Sequence, residues 1–319
     1  IKVKQLTLWI VAIVVAVAVA VGVTVGVMRP GDSSDSTSKT APESPTASPV
    51  SIPPSDASKE IVKFINSITL SNQTLQYPAV GTRLPEERAL AWLIDDDPLG
   101  LTVSTDAERI QQRYALLTLW FSTNPTLDDG KAWLEIVGEC AWEGIKCTDS
   151  EVDSLALSDD NLQGHIPDDL GLLTALKTLW LFDNALTGTI PSSLGQLTAL
   201  TTLALYTNKL RGTIPDGLGH LTLLTWLGLY NNALTGPIPS SLGQLAALGA
   251  LSMSTNKLNG PIPDDLGLLT DLTFLGLFDN ALNGTIPSSL SELTALQLLY
   301  LYTNKLTGVI PSSIGRLTN

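Results

Sequence analysis

Asparagine recurs at a fixed interval of 24 residues through the second half of this chain, without one insertion or deletion. The positions are Asn184, Asn208, Asn232, Asn256, Asn280 and Asn304, and one step earlier the same position holds Asp160. Self-similarity of this length indicates a solenoid, in which each unit buries its apolar residues only by stacking on its neighbours. The sequence therefore predicts an α/β repeat solenoid over residues 151–319, with seven units and a truncated eighth.

Each unit can be interpreted residue by residue. Leu179 and Leu181 alternate with outward positions, which predicts a short strand whose leucines face the core. Asn184 follows the strand, where its amide can bond free backbone groups of successive turns as a ladder. Gly188 suits a backbone position that a Cβ would obstruct, and the serines at 192–193 can cap the next helical turn. The alternative, a helical repeat, lacks a 3.6-residue apolar period and would be broken by Pro and Gly in every unit.

Two strings carry a family resemblance. The string LTGTIPSSLGQLTALTTLALYTNKL at 186–210 resembles the plant-type leucine-rich repeat (LRR). The string ECAWEGIKC at 139–147 is similar to the Cys-x-Trp-x-Gly-Val-x-Cys end of that family's N-terminal cap, with Ile145 in place of Val. The resemblance implies a leucine-rich repeat horseshoe or superhelix with a helical N-terminal cap. It also implies an inner sheet that binds ligands, as in receptor-like proteins, receptor kinases and wall-enzyme inhibitors.

The chain has two cysteines, Cys140 and Cys147, and both lie in this cap-like motif. A matched pair there predicts a disulfide formed in an oxidising compartment. A metal site built on the two cysteines is the alternative. The two histidines, His165 and His220, fall on repeat positions that other units fill freely, so we expect no metal ion and no cofactor.

Charge and motif content narrow the function class. Lys and Arg number 18 against 31 Asp and Glu, giving a net charge of −13. This excess of negative charge argues against binding of nucleic acid and of other anionic ligands. The sequence lacks a kinase string, a Gly-rich nucleotide loop, a Ser-His-Asp set and a metal-ligand cluster. It therefore predicts a protein that is not an enzyme.

An uncharged apolar run of 23 residues occupies positions 6–28, between Lys4 and Arg29. As a helix rising about 1.5 Å per residue it would cover about 34 Å, enough for a hydrocarbon core of ~30 Å. The run predicts an uncleaved transmembrane helix within a first segment at 1–29, rather than a cleaved signal peptide. The flanking lysines favour a cytoplasmic N-terminus and place the repeats on the extracellular or lumenal side of the plasma membrane or an endomembrane.

One face of this predicted helix carries only small side chains at a spacing of four residues. Ala18, Gly22 and Gly26 stand four apart and would allow a second helix to approach closely. A transmembrane dimer is therefore one interpretation. Small residues are also common in membrane helices in general, and the simpler interpretation is that these three have no role in dimerisation.

Two segments lie between this run and the repeats. Residues 30–58 are rich in Ser, Thr and Pro and predict an extended stalk. Residues 59–150 show helical apolar spacing and predict a helical cap that covers the first edge of the sheet. The acidic run at 95–97 predicts a solvated loop, with a cation site as the less favoured alternative. Asn72 and Asn283 each begin a glycosylation sequon and are predicted to carry glycan on the lumenal side.

Aromatic residues of the repeats fall on outward strand positions. They are Trp180, Phe182, Tyr206, Trp226, Tyr230, Phe274, Phe278, Tyr300 and Tyr302. Those at 182, 206, 230, 278 and 302 form one column, which is interrupted at Ser158 and Ser254 and edged by Asp183 and Asp279. Exposed rings in such a column predict a ligand-binding surface for a peptide, a protein or a glycan. The alternative is that the rings only pack on neighbouring strands.

Together these features predict a membrane-anchored, receptor-like LRR protein that recognises an extracellular partner on its inner sheet. The alternative is an adhesion or wall-organising LRR protein, or an LRR-type enzyme inhibitor, without a signalling role.

The units also alternate with a period of 48, since alanine at 185, 233 and 281 interleaves with lysine at 209, 257 and 305. This alternation indicates duplication of a pair of units.

Overall fold

A computed structural model describes residues 55–70, 74–77, 84–123, 133–134 and 138–317. These residues all belong to one compact unit that begins at Pro54. The predicted transmembrane run at 6–28, its small-residue face, almost all of the stalk and Asn72 lie outside the described residues. None of the helices in the described ranges is both long enough and apolar enough to cross a bilayer.

In the described part of the region before the repeats, the structure has three α-helices. They are α1 (Asp56–Ile68), α2 (Pro85–Asp95) and α3 (Val103–Thr123). Ser55 caps α1 by accepting from the backbone N–H of Ser58 at 3.1 Å. The sequence predicts this helical region, and α3 is kinked at Asp106, where φ is −127° and ψ is 21°.

Eight strands form the main sheet, in the order β1, β2, β3, β4, β6, β8, β10, β12. Their bounds are β1 (Ile145–Thr148), β2 (Glu151–Ala156), β3 (Thr178–Trp180), β4 (Thr202–Ala204), β6 (Trp226–Gly228), β8 (Ala250–Ser252), β10 (Phe274–Gly276) and β12 (Leu298–Tyr300). The first pair is antiparallel and all later pairs are parallel. In the parallel part Leu179 lies beside Leu203 and Leu203 beside Leu227, so the sheet advances one repeat per strand.

A second, smaller sheet runs along the far side of the turns that follow each main strand. It contains β5 (Arg211–Gly212), β7 (Ala233–Gly236), β9 (Lys257–Gly260) and β11 (Ala281–Leu282), paired in parallel. The sequence does not predict this sheet, because two to four residues around a glycine carry no alternating apolar pattern. Together the two sheets enclose the fully buried leucines of the repeats.

The repeated asparagines form a ladder between the turns. Asn184 donates through Nδ2 to the carbonyls of Leu157 at 2.7 Å and Leu181 at 3.1 Å. Its Oδ1 accepts from the N–H of Asp160 at 3.1 Å and of Leu162 at 2.9 Å. One amide thus satisfies donors and acceptors of two successive turns, which a carboxylate could not do because it has no N–H.

The serine pairs play a different role from the one predicted. Each short 3₁₀ turn begins after a proline, and no serine side chain caps it. Ser193 Oγ lies 3.4 Å from Asp168 Oδ1, and Ser289 Oγ lies 3.2 Å from Asp264 Oδ1. Ser241 Oγ donates to the carbonyl of Asp216 at 2.9 Å. The serines therefore link a turn to the preceding one, and the prediction of helix capping is wrong.

A buried ion network holds the helical region together. Arg113 donates to Asp97 through Nε at 2.7 Å and Nη2 at 3.1 Å, and to Glu139 through Nη1 at 2.8 Å. Its guanidinium carbon lies 5.3 Å and 5.1 Å from the ring centroids of Trp92 and Trp142. The Asp97 side chain is 2 % exposed. The predicted solvated loop is thus wrong for this aspartate, because an arginine 16 residues later neutralises it.

The cap cysteines form the predicted disulfide. Cys140 and Cys147 are joined with their Cα atoms 5.5 Å apart. The bond ties the 3₁₀ turn at Glu139–Ala141 to strand β1. The alternative of a metal site on these thiols is therefore excluded.

Candidate functional site: the aromatic face of the main sheet

The outward face of the main sheet brings the predicted aromatic residues together as two ring stacks. The first ring stack contains Phe182, Tyr206 and Tyr230, with successive ring centroids 4.5 Å and 4.4 Å apart and interplanar angles of 13° and 8°. The second ring stack contains Phe278 and Tyr302, 4.7 Å apart at 12°. Because parallel strands lie about 4.8 Å apart, residues in register place their rings at stacking distance.

Stacking changes the expected exposure of these rings. Tyr230 is only 9 % exposed and Phe278 only 7 %, while Tyr206 is half-buried. The prediction that these three rings are exposed is wrong, because each ring covers the faces of its neighbours. Tyr302, at one end of the second ring stack, is 53 % exposed. The face is therefore a packed aromatic layer that presents ring edges and stack ends to solvent.

Two glycines that sequence analysis missed make room for the other aromatic residues. A Cβ on Gly228 would lie 2.6 Å from Cη2 of Trp226, and a Cβ on Gly276 would lie 3.0 Å from Cε1 of Phe274. Each large ring thus lies across the glycine two residues later on its own strand. The pattern aromatic-x-Gly-x-aromatic, present in β6 and β10 and in the residues just after them, could have indicated this packing.

The remaining predicted aromatic residues join the same layer. Trp180 donates through Nε1 to Thr202 Oγ1 at 3.2 Å, which tilts the indole toward β4. Tyr300 contacts Phe274 edge to face, with ring centroids 5.9 Å apart. Between the two stacks, Ser254 is 1 % exposed, and its Oγ has no hydrogen-bond partner in the described part of the chain.

A polar edge follows the aromatic layer, where each chain segment leaves the sheet. Its members, all with left-handed backbone, are Asp159, Asp183, Thr207, Asn231, Thr255, Asp279 and Thr303, with φ between 51° and 61°. Asp and Asn tolerate this conformation, whereas for a β-branched Thr it is strained. Strained backbone that recurs at one edge of a sheet is a feature that functional surfaces share.

The charges at this edge affect pKa values both at the edge and in the first ring stack. Desolvation by the surrounding groups raises the pKa of Asp183, and the negative charge of Asp159 raises it further, while a hydrogen bond from Thr207 opposes the shift. Burial raises the pKa of both Tyr206 and Tyr230, and the charge of Asp183 raises each of them further. At neutral pH the edge therefore combines two close carboxylates with two protonated phenols.

Other predicted site residues lie apart from this face. Asn283 is exposed beside Gly284, whose φ is 75°, on the side of the molecule that carries the smaller sheet. Cys140 and Cys147 belong to the helical region. No group of His, Cys, Asp and Glu in the ranges that the structure covers has an arrangement that could hold a metal ion.

Comparison with known families identifies the repeats. The family described as Leucine Rich Repeat matches residues 175–197, 223–245 and 295–317. A search of curated proteins finds no significant match. The chain thus contains leucine-rich repeats arranged as an α/β solenoid with parallel strands.

Solved structures of plant receptors resemble this fold. The structure of PEPR1 with AtPEP1 has a TM-score of 0.60 and 36 % identity over 64 % of this chain and 29 % of its own. The Arabidopsis thaliana receptor kinase GASSHO1/SCHENGEN3 ectodomain, in complex with CASPARIAN STRIP INTEGRITY FACTOR 2, scores 0.57 with 38 % identity over 64 % and 28 %. The Arabidopsis HAESA ectodomain, in complex with an extended IDA peptide hormone, scores 0.59 with 34 % identity over 67 % and 36 %.

These structures show which kind of protein the chain resembles and how much of each one it covers. The chain is structurally similar to plant LRR receptor ectodomains. It spans less than a third of the length of the first two solved structures that it matches.

Proposed function

We propose that this protein is a non-enzymatic, receptor-like module that binds an extracellular peptide on the aromatic face of the main sheet. The observation that carries the proposal is the packed aromatic layer itself. Its ring stacks are held at 4.4 to 4.7 Å and present a rigid, largely apolar platform. Rigid aromatic groups lose little entropy on binding and are favoured anchors at interfaces.

The dimensions and the similar structures favour a peptide. Seven outward positions at about 4.8 Å spacing give a platform about 29 Å long, which an extended peptide of about nine residues would cross. The solved HAESA structure holds a peptide hormone ligand. We further propose that the run at 6–28 anchors the protein in a membrane, with the N-terminus cytoplasmic and the repeats extracellular or lumenal.

A peptide selection tests this function. The full chain, held in detergent micelles, is screened against a phage library of random nonapeptides, and the affinities of the selected synthetic peptides are measured by fluorescence anisotropy. Thr178→Arg, on the aromatic face, should weaken binding at least tenfold. Thr222→Arg, the same substitution at an exposed position on the side of the 3₁₀ turns, should change it less than twofold. Failure to select any peptide, or equal effects of both variants, would refute the proposal.

A further inference from the structure

The first ring stack has one open end. Phe182 is covered on one face by Tyr206 at 4.5 Å. Its other face points to strand β2, where the neighbouring position is held by a small residue, Ser158. The backbone fixes this neighbour, since the N–H of Leu157 bonds the carbonyl of Trp180 at 2.8 Å and the N–H of Asp159 bonds that of Phe182 at 3.2 Å.

The ring of Trp180, on β3, lies beside Phe182 with the ring centroids 6.3 Å apart and the planes at 55°. Phe182 and Ser158 are both partly buried. The indole of Trp180 donates to Thr202 on β4, the neighbouring strand on the side away from Ser158. The stack therefore ends at Phe182, where the next repeat position holds a small residue, Ser158, and no further ring.

Two carboxylates stand beside this opening. Asp159 and Asp183 follow Ser158 and Phe182 in the chain, and both are exposed. Neither forms an ion pair with any residue that the structure describes. Lys177, at the opposite end of β3, is already paired with Asp153 at 3.4 Å. The opening is thus bordered by negative charge that the neighbouring lysine does not neutralise.

A planar cation could stack on the ring at the end of the first ring stack and also pair with the two carboxylates. Guanidinium groups stack on aromatic faces and donate in-plane N–H bonds to carboxylates, whereas ammonium is a compact point charge without a planar face. We propose that an arginine side chain of the bound peptide stacks on Phe182 as the next member of the first ring stack and donates to Asp159 and Asp183. This proposal rests on the peptide-binding function proposed above and specifies the chemistry of the peptide.

The second ring stack serves as an internal contrast. Its end at Phe278 also adjoins a serine, Ser254, but Phe278 is 7 % exposed and has no free face. Only one of the two flanking edge residues there is a carboxylate, Asp279, because Thr255 takes the place equivalent to Asp159. An arginine site is therefore expected at the first stack and not at the second.

Another repeat unit shows which substitution can remove the charges of Asp159 and Asp183 without disturbing the backbone. Asn231 occupies the same edge position in a later unit with φ of 55°, so Asp159→Asn and Asp183→Asn preserve the backbone. Asp265→Asn/Asp271→Asn is the matched control, since both residues are exposed and lie in or just after a 3₁₀ turn, away from the face. Thermal unfolding midpoints of both double variants verify that the fold is kept.

N-acetyl-arginine amide is the first probe, titrated by calorimetry against the full chain in detergent micelles. We expect millimolar binding that weakens at least tenfold in Asp159→Asn/Asp183→Asn and stays within twofold in the control. N-acetyl-citrulline amide, which keeps the shape and loses the charge, should not bind. Equal binding of N-acetyl-arginine amide to the wild type and to the face variant would overturn the arginine site.

Selected peptides provide the second measurement. Replacing their arginine by citrulline should weaken binding to the wild type about tenfold and have little further effect on Asp159→Asn/Asp183→Asn. Peptides that bind the face without such coupling would overturn the arginine site while the peptide-binding function stands. Binding of N-acetyl-arginine amide that depends on the two carboxylates, without any selected peptide, would support the site and refute that function.

Discussion

The nonapeptide IPDDLGLLT occurs twice in this chain, at 166–174 and at 262–270, in two different environments. In the first copy Asp169 is fully buried and Leu172 is 7 % exposed. In the second copy the equivalent Asp265 is exposed, and Leu268 is 64 % exposed. Identical sequence therefore gives the same backbone turn, but its neighbours decide which side chains are buried.

The helical region makes the difference. Asp169 Oδ1 accepts from Thr69 Oγ1 at 2.8 Å and from the N–H of Leu70 at 2.6 Å, while Oδ2 accepts from Tyr114 OH at 3.2 Å. The carbonyl of Leu172 accepts from the Gln111 side chain at 2.8 Å. In the second copy another repeat precedes the turn, and the same two side chains face solvent. The first copy is thus the joint between the helices and the repeats.

The largest expected effect comes from removing the buried carboxylate. Asp169→Ala removes the fully buried acceptor of three hydrogen bonds, one from a buried donor and two from partly buried donors, and should lower the free energy of unfolding by about 3 kcal/mol or more. Asp265→Ala should change it by less than about 0.5 kcal/mol. Urea unfolding of the full chain in detergent micelles, followed by near-ultraviolet circular dichroism, measures both. Equal losses would show that the joint does not depend on this carboxylate.

Truncating the leucine should give the next largest difference. Leu172→Ala removes a side chain packed under the helical region and should cost about 2 kcal/mol. Leu268→Ala removes an exposed side chain, and we expect a change within about 0.5 kcal/mol. The same urea titration applies. A loss at Leu268 as large as that at Leu172 would indicate that an unrecognised partner covers the second copy.

A smaller effect is expected when only one donor is removed. Tyr114→Phe keeps the buried ring and deletes the hydroxyl that bonds Asp169, so stability should fall by about 1 kcal/mol. Tyr302→Phe, at an exposed ring, is the control and should be neutral within about 0.5 kcal/mol. If the two variants unfold at the same urea concentration, the phenol contributes nothing to the joint.

The smallest expected effect depends on pH. Desolvation raises the pKa of Glu86, and the charges of Asp169 and Asp168 raise it further, while a backbone hydrogen bond and His165 oppose the shift. A carboxyl whose folded pKa is raised favours folding when it is protonated, and this contribution is lost as pH rises through the folded pKa. Glu86→Gln should therefore stabilise the protein at pH 7 and lose that advantage below the ordinary glutamate pKa. Unfolding midpoints at pH 7 and pH 3.5 measure it, and an advantage equal at both values would contradict this origin.

Local periodic features could be predicted from the sequence, and packing across strands could not. The leucine core and the asparagine ladder follow from positions that repeat at a fixed spacing, and the disulfide follows from a local motif. The burial of Tyr230 required knowing that a ring lies on the next strand at stacking distance. Asp97 was misassigned because its partner, Arg113, lies on another helix. Acidic runs and aromatic columns acquire their roles from residues distant in sequence.

The serine to aspartate links between turns bear on how such a stack changes length. Because Ser193 and Ser289 donate toward aspartates of the preceding turn, serine turns and acidic turns alternate from Asp168–Leu172 to Ser288–Glu292, and the next turn, Ser312–Arg316, is again a serine turn. Loss or gain of a single turn within the alternating part would bring two acidic turns, or two serine turns, side by side. Removing two turns together leaves every contact with a suitable neighbour and shortens the stack by about 10 Å. Within this alternating part, a change of length therefore keeps the serine to aspartate contacts only when two turns are gained or lost together.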